Sequence, residues 1–277
     1  MLGAIIGDIV GSRFEWNNHK SKDFELFTKE CFFTDDSVMT LAIAKALLDC
    51  KGDYSNLSEK AVRSMQEIGR PYPDCGYGGS FEWWMYSDDP KPYNSYGNGA
   101  AMRVSACGFV ARTIDEAVTL SRKVTEVTHN HPEGIKGAEA TAVAIFLARD
   151  GYKIKDIKNC INEYYYNLNF TLDEIRDTYE FNETCQDTVP QAIVAFLEST
   201  SFEDAIRNAI SIGGDSDTLA AITGGIAEAY YGVPKEIGDI AKSYLDDRLL
   251  DILEAFENRP EYPKIVDIGL CGTQHIE

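Results

Sequence analysis

The apolar residues of this chain repeat with the spacing of a helix, and we find no convincing strand-like alternation. For example, Leu41, Ala44, Leu47 and Leu48 lie on one helical face after Ser37. A 3.6-residue period predicts helices, whereas a two-residue period predicts strands. The sequence therefore predicts an all-α protein. We expect residues 1–277 to form a single domain, because no linker, repeat or low-complexity tract interrupts the chain.

Helix boundaries can also be predicted from glycine and proline, which favour helix ends and first helical turns respectively. The expected helices are Ala138–Arg149 before Gly151, a helix with Pro190 in its first turn, Leu219–Tyr230 before Gly232, and the stretches Glu116–Thr125, Ile154–Asn167, Phe202–Ile212 and Lys235–Phe256.

Small residues occur where two helices could approach closely. Gly3, Gly7 and Gly11 recur every four residues and so share a helical face, and residues 220–227 are again rich in glycine and alanine. Each glycine costs a helix about 1 kcal/mol relative to alanine. Close packing around a central site would offset that cost, so we expect these segments to lie in the core.

The net charge of −19 limits the possible partners. Such an acidic surface argues against a broad nucleic-acid interface, and any phosphate-bearing ligand would need local positive potential from metal ions or backbone N–H groups. No apolar run approaches the roughly 20 residues that a bilayer requires, so we expect no membrane partner. The seven cysteines include no CxxC pair, which indicates reduced thiols and a cytoplasmic location.

Two short acidic motifs each precede a predicted helix: Thr34-Asp35-Asp36-Ser37, and Asp215-Ser216-Asp217-Thr218 after two glycines. Mg²⁺ and Mn²⁺ prefer carboxylate, hydroxyl and water oxygens. Together the motifs could hold two ions about 3.5–4 Å apart. Alternatively they cap helices, because Asp, Ser and Thr favour helix starts. Glu15 could extend the glycine-rich helical face or be an exposed glutamate without a role.

Residues 69–99 are rich in glycine, proline and aromatic residues, and long irregular loops of this kind usually carry function. At their end, Tyr96–Arg103 could form a phosphate cradle at a helix N-terminus or a tight turn. His129 and His131 could ligate a metal, but no third soft ligand accompanies them, so a turn bordering a phosphate fits better. An adenine base could stack on one of several rings, namely Tyr77, Phe81, Trp83, Trp84 and Tyr96.

Five segments together resemble the ADP-ribosylglycohydrolase family: GAIIGDIVGSRFE, FTDDSVMTLAIAKAL, YGNGAAMRVSACGF, THNHPEGIKGAEATA and ISIGGDSDTLAAITGGIAEAYYG. They follow the family's order from Gly3 to Gly232. The resemblance implies a compact orthogonal bundle of many helices around a central cleft with a binuclear centre, holding two Mg²⁺ or Mn²⁺ ions. By position it implies that Asp217 bridges the two metals and that Glu15 acts in gating and catalysis. The implied metal ligands are Thr34, Asp35, Asp36, Asp215, Asp217 and Thr218.

The resemblance implies a hydrolase that cleaves the bond at C1″ of ADP-ribose and frees ADP-ribose from a modified acceptor, and we expect a monomer. Glycosidic cleavage needs an activated water and a proton for the leaving group. The expected catalytic carboxylates are Glu15, Asp35 and Asp36, and the expected substrate-binding residues are Tyr96, Gly97, Asn98, Gly99, Ala100, Met102 and His129. The alternatives are a catalytically silent structural member of the family and a two-metal phosphoesterase.

Overall fold

A computed structural model describes residues 1–260, and within them the chain is all-helical, as predicted. A short 3₁₀ turn, Ser12–Phe14, follows the first helix. The fifteen α-helices of these residues are α1 Leu2–Gly11, α2 Asp35–Cys50, α3 Leu57–Gly69, α4 Gly79–Tyr86, α5 Gly99–Met102, α6 Ser105–Val110, α7 Ile114–Thr125, α8 Pro132–Arg149, α9 Ile154–Tyr164, α10 Leu172–Ile175, α11 Cys185–Leu197, α12 Phe202–Ile210, α13 Ser216–Tyr231, α14 Lys235–Lys242 and α15 Asp247–Glu257.

Several predicted helices have the wrong boundaries: α8 begins six residues before Ala138, and α9 ends three residues before Asn167. The single helix expected over Lys235–Phe256 is instead α14 and α15, because Asp246 starts a new helix by accepting a hydrogen bond from the Leu249 N–H at 3.0 Å. Pro190 lies in the middle of α11, not in its first turn. At that position the proline removes the hydrogen bond that an N–H would donate to the carbonyl of Gln186, four residues earlier. The loop expected over residues 69–99 also contains α4.

The antiparallel pair α1 and α13 forms the centre of the molecule. Every residue of α1 is buried, and its glycines face α13 so closely that no side chain fits between them. A Cβ on Gly3 would lie 2.2 Å from the Gly224 carbonyl oxygen, and one on Gly7 would lie 2.0 Å from that of Ala220. The predicted close approach is confirmed. It brings the C-terminal end of α1 beside the N-terminal end of α13, where Gly11 meets the backbone of Asp217.

Helices α2, α8, α11 and α12 pack against this pair, α3 lies against α2, and α7 lies against α8. No helix in residues 1–260 is both long and apolar enough to cross a membrane. The expectation of reduced thiols is confirmed at the free cysteines 31, 50, 75, 107 and 185. Cys160 is buried in α9, and Cys271 lies outside the described residues.

Candidate active site

The N-terminal ends of α2 and α13 open into a cleft of about 330 Å³. Both acidic motifs reach it, although about 180 residues separate them in the chain. The expected site residues that line it are Glu15, Thr34, Asp35, Asp36, Gly97, Asn98, Gly99, Met102, His129, Asp215, Asp217 and Thr218.

The remaining expected contacts lie elsewhere. The Tyr96 ring is exposed and packs against His131, at 5.1 Å between centroids, and Ala100 is wholly buried beside the cleft. Neither residue is among those that line the cleft. Of the rings considered for base stacking, Phe81 lines the cleft. A further ring, Tyr93, also lines it and was missed in the sequence because it lies in an irregular proline-rich stretch.

The first acidic motif is both a helix cap and a cluster of carboxylates. Thr34 is the N-cap of α2, and its hydroxyl accepts a hydrogen bond from the Asp36 N–H at 3.3 Å. The Asp35 N–H donates to the Cys75 carbonyl oxygen at 2.8 Å. Asp36 Oδ1 is buried and has no hydrogen-bond partner. An orphaned carboxylate oxygen is costly in a protein interior, so capping alone does not explain this motif.

The second acidic motif does not cap its helix through a side chain. Asp215 occupies the N-cap position of α13 but makes no capping hydrogen bond. Instead its Oδ2 accepts from Asn98 Nδ2 at 2.6 Å. The Thr218 hydroxyl donates to Asp36 Oδ2 at 3.2 Å and so joins the two motifs. Oxygen atoms of Glu15, Asp215 and Asp217 lie within 4.8 Å of one another, a spacing that a cation could bridge.

Glu15 reaches this group by a different route from the one expected. Helix α1 ends at Gly11, and the 3₁₀ turn of Ser12–Phe14 carries Glu15 beyond it. Glu15 therefore does not extend the glycine face. It is half-buried and lies at the edge of the cleft, beside the exposed ring of Trp16, which stacks on Phe181 at 4.9 Å between centroids.

Burial and mutual repulsion strongly perturb these carboxyl groups. Burial first, and then the charge of Asp217, holds the pKa of Asp35, Asp36 and Asp215 well above the usual range. The same two causes raise the pKa of Glu15 to about 7. Bound cations would relieve both effects. The donor set of carboxylate and hydroxyl oxygens, with the orphaned Asp36 oxygen, fits a hard divalent ion.

Asp8 is a structural residue of the site that the sequence did not reveal. It is fully buried in α1, and its carboxylate accepts hydrogen bonds from the backbone N–H and the hydroxyl of both Thr34 and Ser37. Asp8 therefore caps α2 from a different helix and fixes the turn that carries Asp35 and Asp36. An aspartate among glycine and isoleucine residues was the only available signal.

Beside the acidic cluster, residues 96–98 are tied to the start of α11. The Asn98 N–H donates to the Glu183 carbonyl at 2.7 Å, and the Cys185 N–H donates to that of Tyr96 at 2.9 Å. The following helix, α5, has only four residues. The expected helix is present but short, so any anion here would depend mainly on side chains and backbone N–H groups.

The two histidines have separate roles. His131 caps α8 by accepting the Glu133 N–H on Nδ1 at 3.1 Å, so it is the structural turn that was expected. His129 is buried in the cleft wall, and burial, then the charge of Arg103, holds its pKa well below the usual range. Among residues 1–260, the group that could hold a metal includes neither histidine.

Comparison with known proteins identifies the chain's family. The family model for ADP-ribosylglycohydrolase matches residues 1–261. The chain belongs to this family. It is 26% identical to human ADP-ribosylhydrolase ARH3, over 84% of each chain. It is also 26% identical to ADP-ribosylarginine hydrolase Tri1 of Pseudomonas putida, over 99% of this chain and 81% of that relative.

A solved structure supports the fold of this ADP-ribosylglycohydrolase. The structure, described as an ADP-ribosylglycohydrolase-related protein complex, superposes with a TM-score of 0.63 at 23% identity over 92% of this chain and 95% of the other. At that identity the likeness concerns the fold alone. Membership of the family makes the chain a hydrolase of glycosyl bonds.

Proposed function

We propose that this ADP-ribosylglycohydrolase is a divalent-metal-dependent enzyme that frees ADP-ribose from a modified acceptor by hydrolysing the bond at C1″. The main support is the buried set of hard oxygen ligands, with Asp36 Oδ1 unpaired, in a cleft that Gly97–Gly99 and His129 also line. The relatives named for ADP-ribosyl hydrolysis agree with this proposal.

Two Mg²⁺ or Mn²⁺ ions would bind where the acidic motifs meet, with Asp217 between them. The proposed ligands are Thr34, Asp35, Asp36, Asp215, Asp217 and Thr218, all of which line the cleft. When bound, such ions would orient the ribose hydroxyls and increase the acidity of a water. The absence of sulfur and nitrogen from this donor set favours Mg²⁺ or Mn²⁺ over zinc.

Glycosidic hydrolysis needs one group to take a proton from water and one to give a proton to the leaving group. Glu15, like Asp35, is half-buried, whereas Asp36, Asp215 and Asp217 are buried. It can therefore exchange a proton with solvent and with a leaving group at the mouth of the cleft. We assign one of the two proton transfers to Glu15. We assign the other to Asp35 or Asp36, at the wall of the cleft.

The rest of the cleft has room for the remainder of ADP-ribose. Gly97, Asn98 and Gly99 would allow close backbone approach for the diphosphate, and His129 and Met102 line the same cleft. The rings of Phe81 and Tyr93 line the same cleft and are the candidates for stacking on adenine.

The proposal can be tested with a panel of ADP-ribosylated acceptors linked through arginine, serine, a nucleobase or an acetyl ester. We expect free ADP-ribose from at least one acceptor with Mg²⁺ or Mn²⁺, and none with EDTA. Asp217→Asn should abolish release, while Asp74→Asn, at an exposed site, should leave it unchanged. Release of phosphate or a nucleotide would instead indicate a phosphoesterase, and no product from any acceptor would indicate a silent structural protein.

A further inference from the structure

Arg103 is a buried cation without an acidic partner. Its side chain is 1% exposed, and no ion pair within residues 1–260 includes it. The guanidinium lies over the Phe81 ring at 5.6 Å, and its Nε has no hydrogen-bond partner. Burying an unpaired charge is costly. This cost suggests that Arg103 serves the cleft that it lines, where it is the only lysine or arginine among the described lining residues.

The hydrogen bonds of Arg103 determine which nitrogen of His129 carries the proton. Arg103 Nη2 approaches Thr128 Oγ1 at 2.6 Å and His129 Nδ1 at 3.5 Å. A guanidinium can only donate, so Nδ1 must be an acceptor. The Thr128 hydroxyl accepts from Arg103 and lies 2.7 Å from Nδ1 and 3.3 Å from the Thr125 carbonyl oxygen, so its own proton goes to the nearer acceptor, Nδ1. A proton on Nδ1 would face the guanidinium N–H directly.

With Nδ1 as an acceptor, the single proton of the neutral ring lies on Nε2. This nitrogen faces the glycine turn. A Cβ on Gly97 would lie 3.6 Å from Nε2, and one on Gly99 would lie 3.5 Å from it. The Cβ side of both glycines therefore faces Nε2, and all three residues line the cleft in which a ligand would lie.

We propose that Arg103 is a positioning residue that holds His129 as its Nε2–H tautomer, so that this N–H donates to a phosphate oxygen lying against Gly97 and Gly99. The positive charge of Arg103 also favours an anion there without a direct contact, in a protein of net charge −19. The identity of the ligand as a diphosphate rests on the proposed function, whereas the tautomer does not.

The tautomer can be measured directly in the ligand-free protein. Long-range ¹H–¹⁵N NMR spectra of ¹⁵N-histidine-labelled protein distinguish a protonated ring nitrogen from an unprotonated one, and a His129→Asn variant assigns the signals. We expect His129 to be neutral with its proton on Nε2. In Arg103→Met the proton should redistribute towards Nδ1, because the Thr128 hydroxyl is then free to accept. Arg63→Met, at an exposed site on α3, should leave the pattern unchanged.

An Nδ1–H tautomer or a charged ring in the wild-type protein would overturn the inference, even if Arg103→Met does not fold. So would an unchanged tautomer in a folded Arg103→Met protein. Because the spectrum needs no substrate, its outcome is separate from that of the acceptor panel. An Nε2–H tautomer in a protein that releases no ADP-ribose would refute only the proposed function.

Binding measurements test the consequence for the ligand. We expect Arg103→Met to weaken the binding of ADP by about tenfold to a hundredfold, since a hydrogen bond to a charged group is worth about 1.5–3 kcal/mol. The affinity for adenosine, measured by the same calorimetric titration, should not change. Equal losses for ADP and adenosine would show that Arg103 only supports the fold, and would contradict its role in positioning His129.

Discussion

Asp8 offers a sharp test of how the fold builds the site. In Asp8→Ala, the Thr34 and Ser37 N–H groups lose acceptors that lie 2.9 and 3.1 Å away at Asp8 Oδ2. Both groups are buried, and each unsatisfied donor costs about 1–3 kcal/mol. The two hydroxyls that also bond to Asp8 can rotate to other acceptors. We therefore expect Asp8→Ala to lower the free energy of unfolding by about 2–6 kcal/mol. The total free energy of unfolding of a typical domain is about 5–15 kcal/mol, so this loss would be large.

Asp8→Asn is the matched control. Its amide oxygen can take the position of Oδ2 and accept both N–H groups, while its NH₂ group faces the Thr34 hydroxyl, which can accept as well as donate. The loss should then be no more than about 1 kcal/mol. Chemical denaturation with EDTA present in every sample measures both variants. Equal losses for Ala and Asn, or a change of less than about 0.5 kcal/mol in Asp8→Ala, would refute the view that Asp8 caps α2.

Two further predictions concern stability. Gly7→Ala places a Cβ 2.0 Å from the Ala220 carbonyl oxygen, so α1 and α13 must move apart. Chemical denaturation should show that the free energy of unfolding falls by about 1–3 kcal/mol or more. The control Gly79→Ala, whose Cβ meets nothing within 4 Å, should change this free energy little. In EDTA, the melting temperature should fall as pH rises, because the folded protein binds more protons than the unfolded chain wherever burial raises a carboxyl pKa. Glu15 contributes to this fall between its ordinary pKa of 4.5 and its raised pKa of about 7. Added Mg²⁺ should reduce the dependence of the melting temperature on pH. A melting temperature in EDTA that does not change with pH would show that burial and mutual repulsion do not destabilise the carboxyl cluster.

The fold was largely predictable because helical periodicity and capping signals are local. Helices such as α2 and α13 follow directly from the spacing of their apolar residues and from glycine at position 232. The division between α14 and α15 was missed because it depends on the cap made by one aspartate, Asp246. Pro190 was misplaced because a proline is compatible with more than one position near a helix start, and only tertiary packing selects among them.

The site was predictable in composition but not in its supporting contacts. The acidic motifs and the GNG turn were recognisable as sequence patterns, and the structure brings most of their residues to one cleft. The roles of Asp8 and Arg103 were missed because they depend on residues that are distant in the chain. The partners of Asp8 lie at least 26 residues away, and those of Arg103 lie at least 25 residues away. No local pattern encodes such contacts, which arise when α1 and the residues before α8 fold against the motifs.

The central claim, that the carboxylate cluster holds divalent cations, is tested most directly by calorimetric melting of wild-type and Asp217→Asn proteins with EDTA and with Mg²⁺. The wild-type protein should be stabilised by Mg²⁺, by about 2.7 kcal/mol at a hundred times the dissociation constant, and Asp74→Asn should behave alike. Asp217→Asn should lose this gain, while its melting temperature in EDTA holds or rises because one repelling charge is gone. An Asp217→Asn protein with the full wild-type gain would show that the second acidic motif is only the start of a helix.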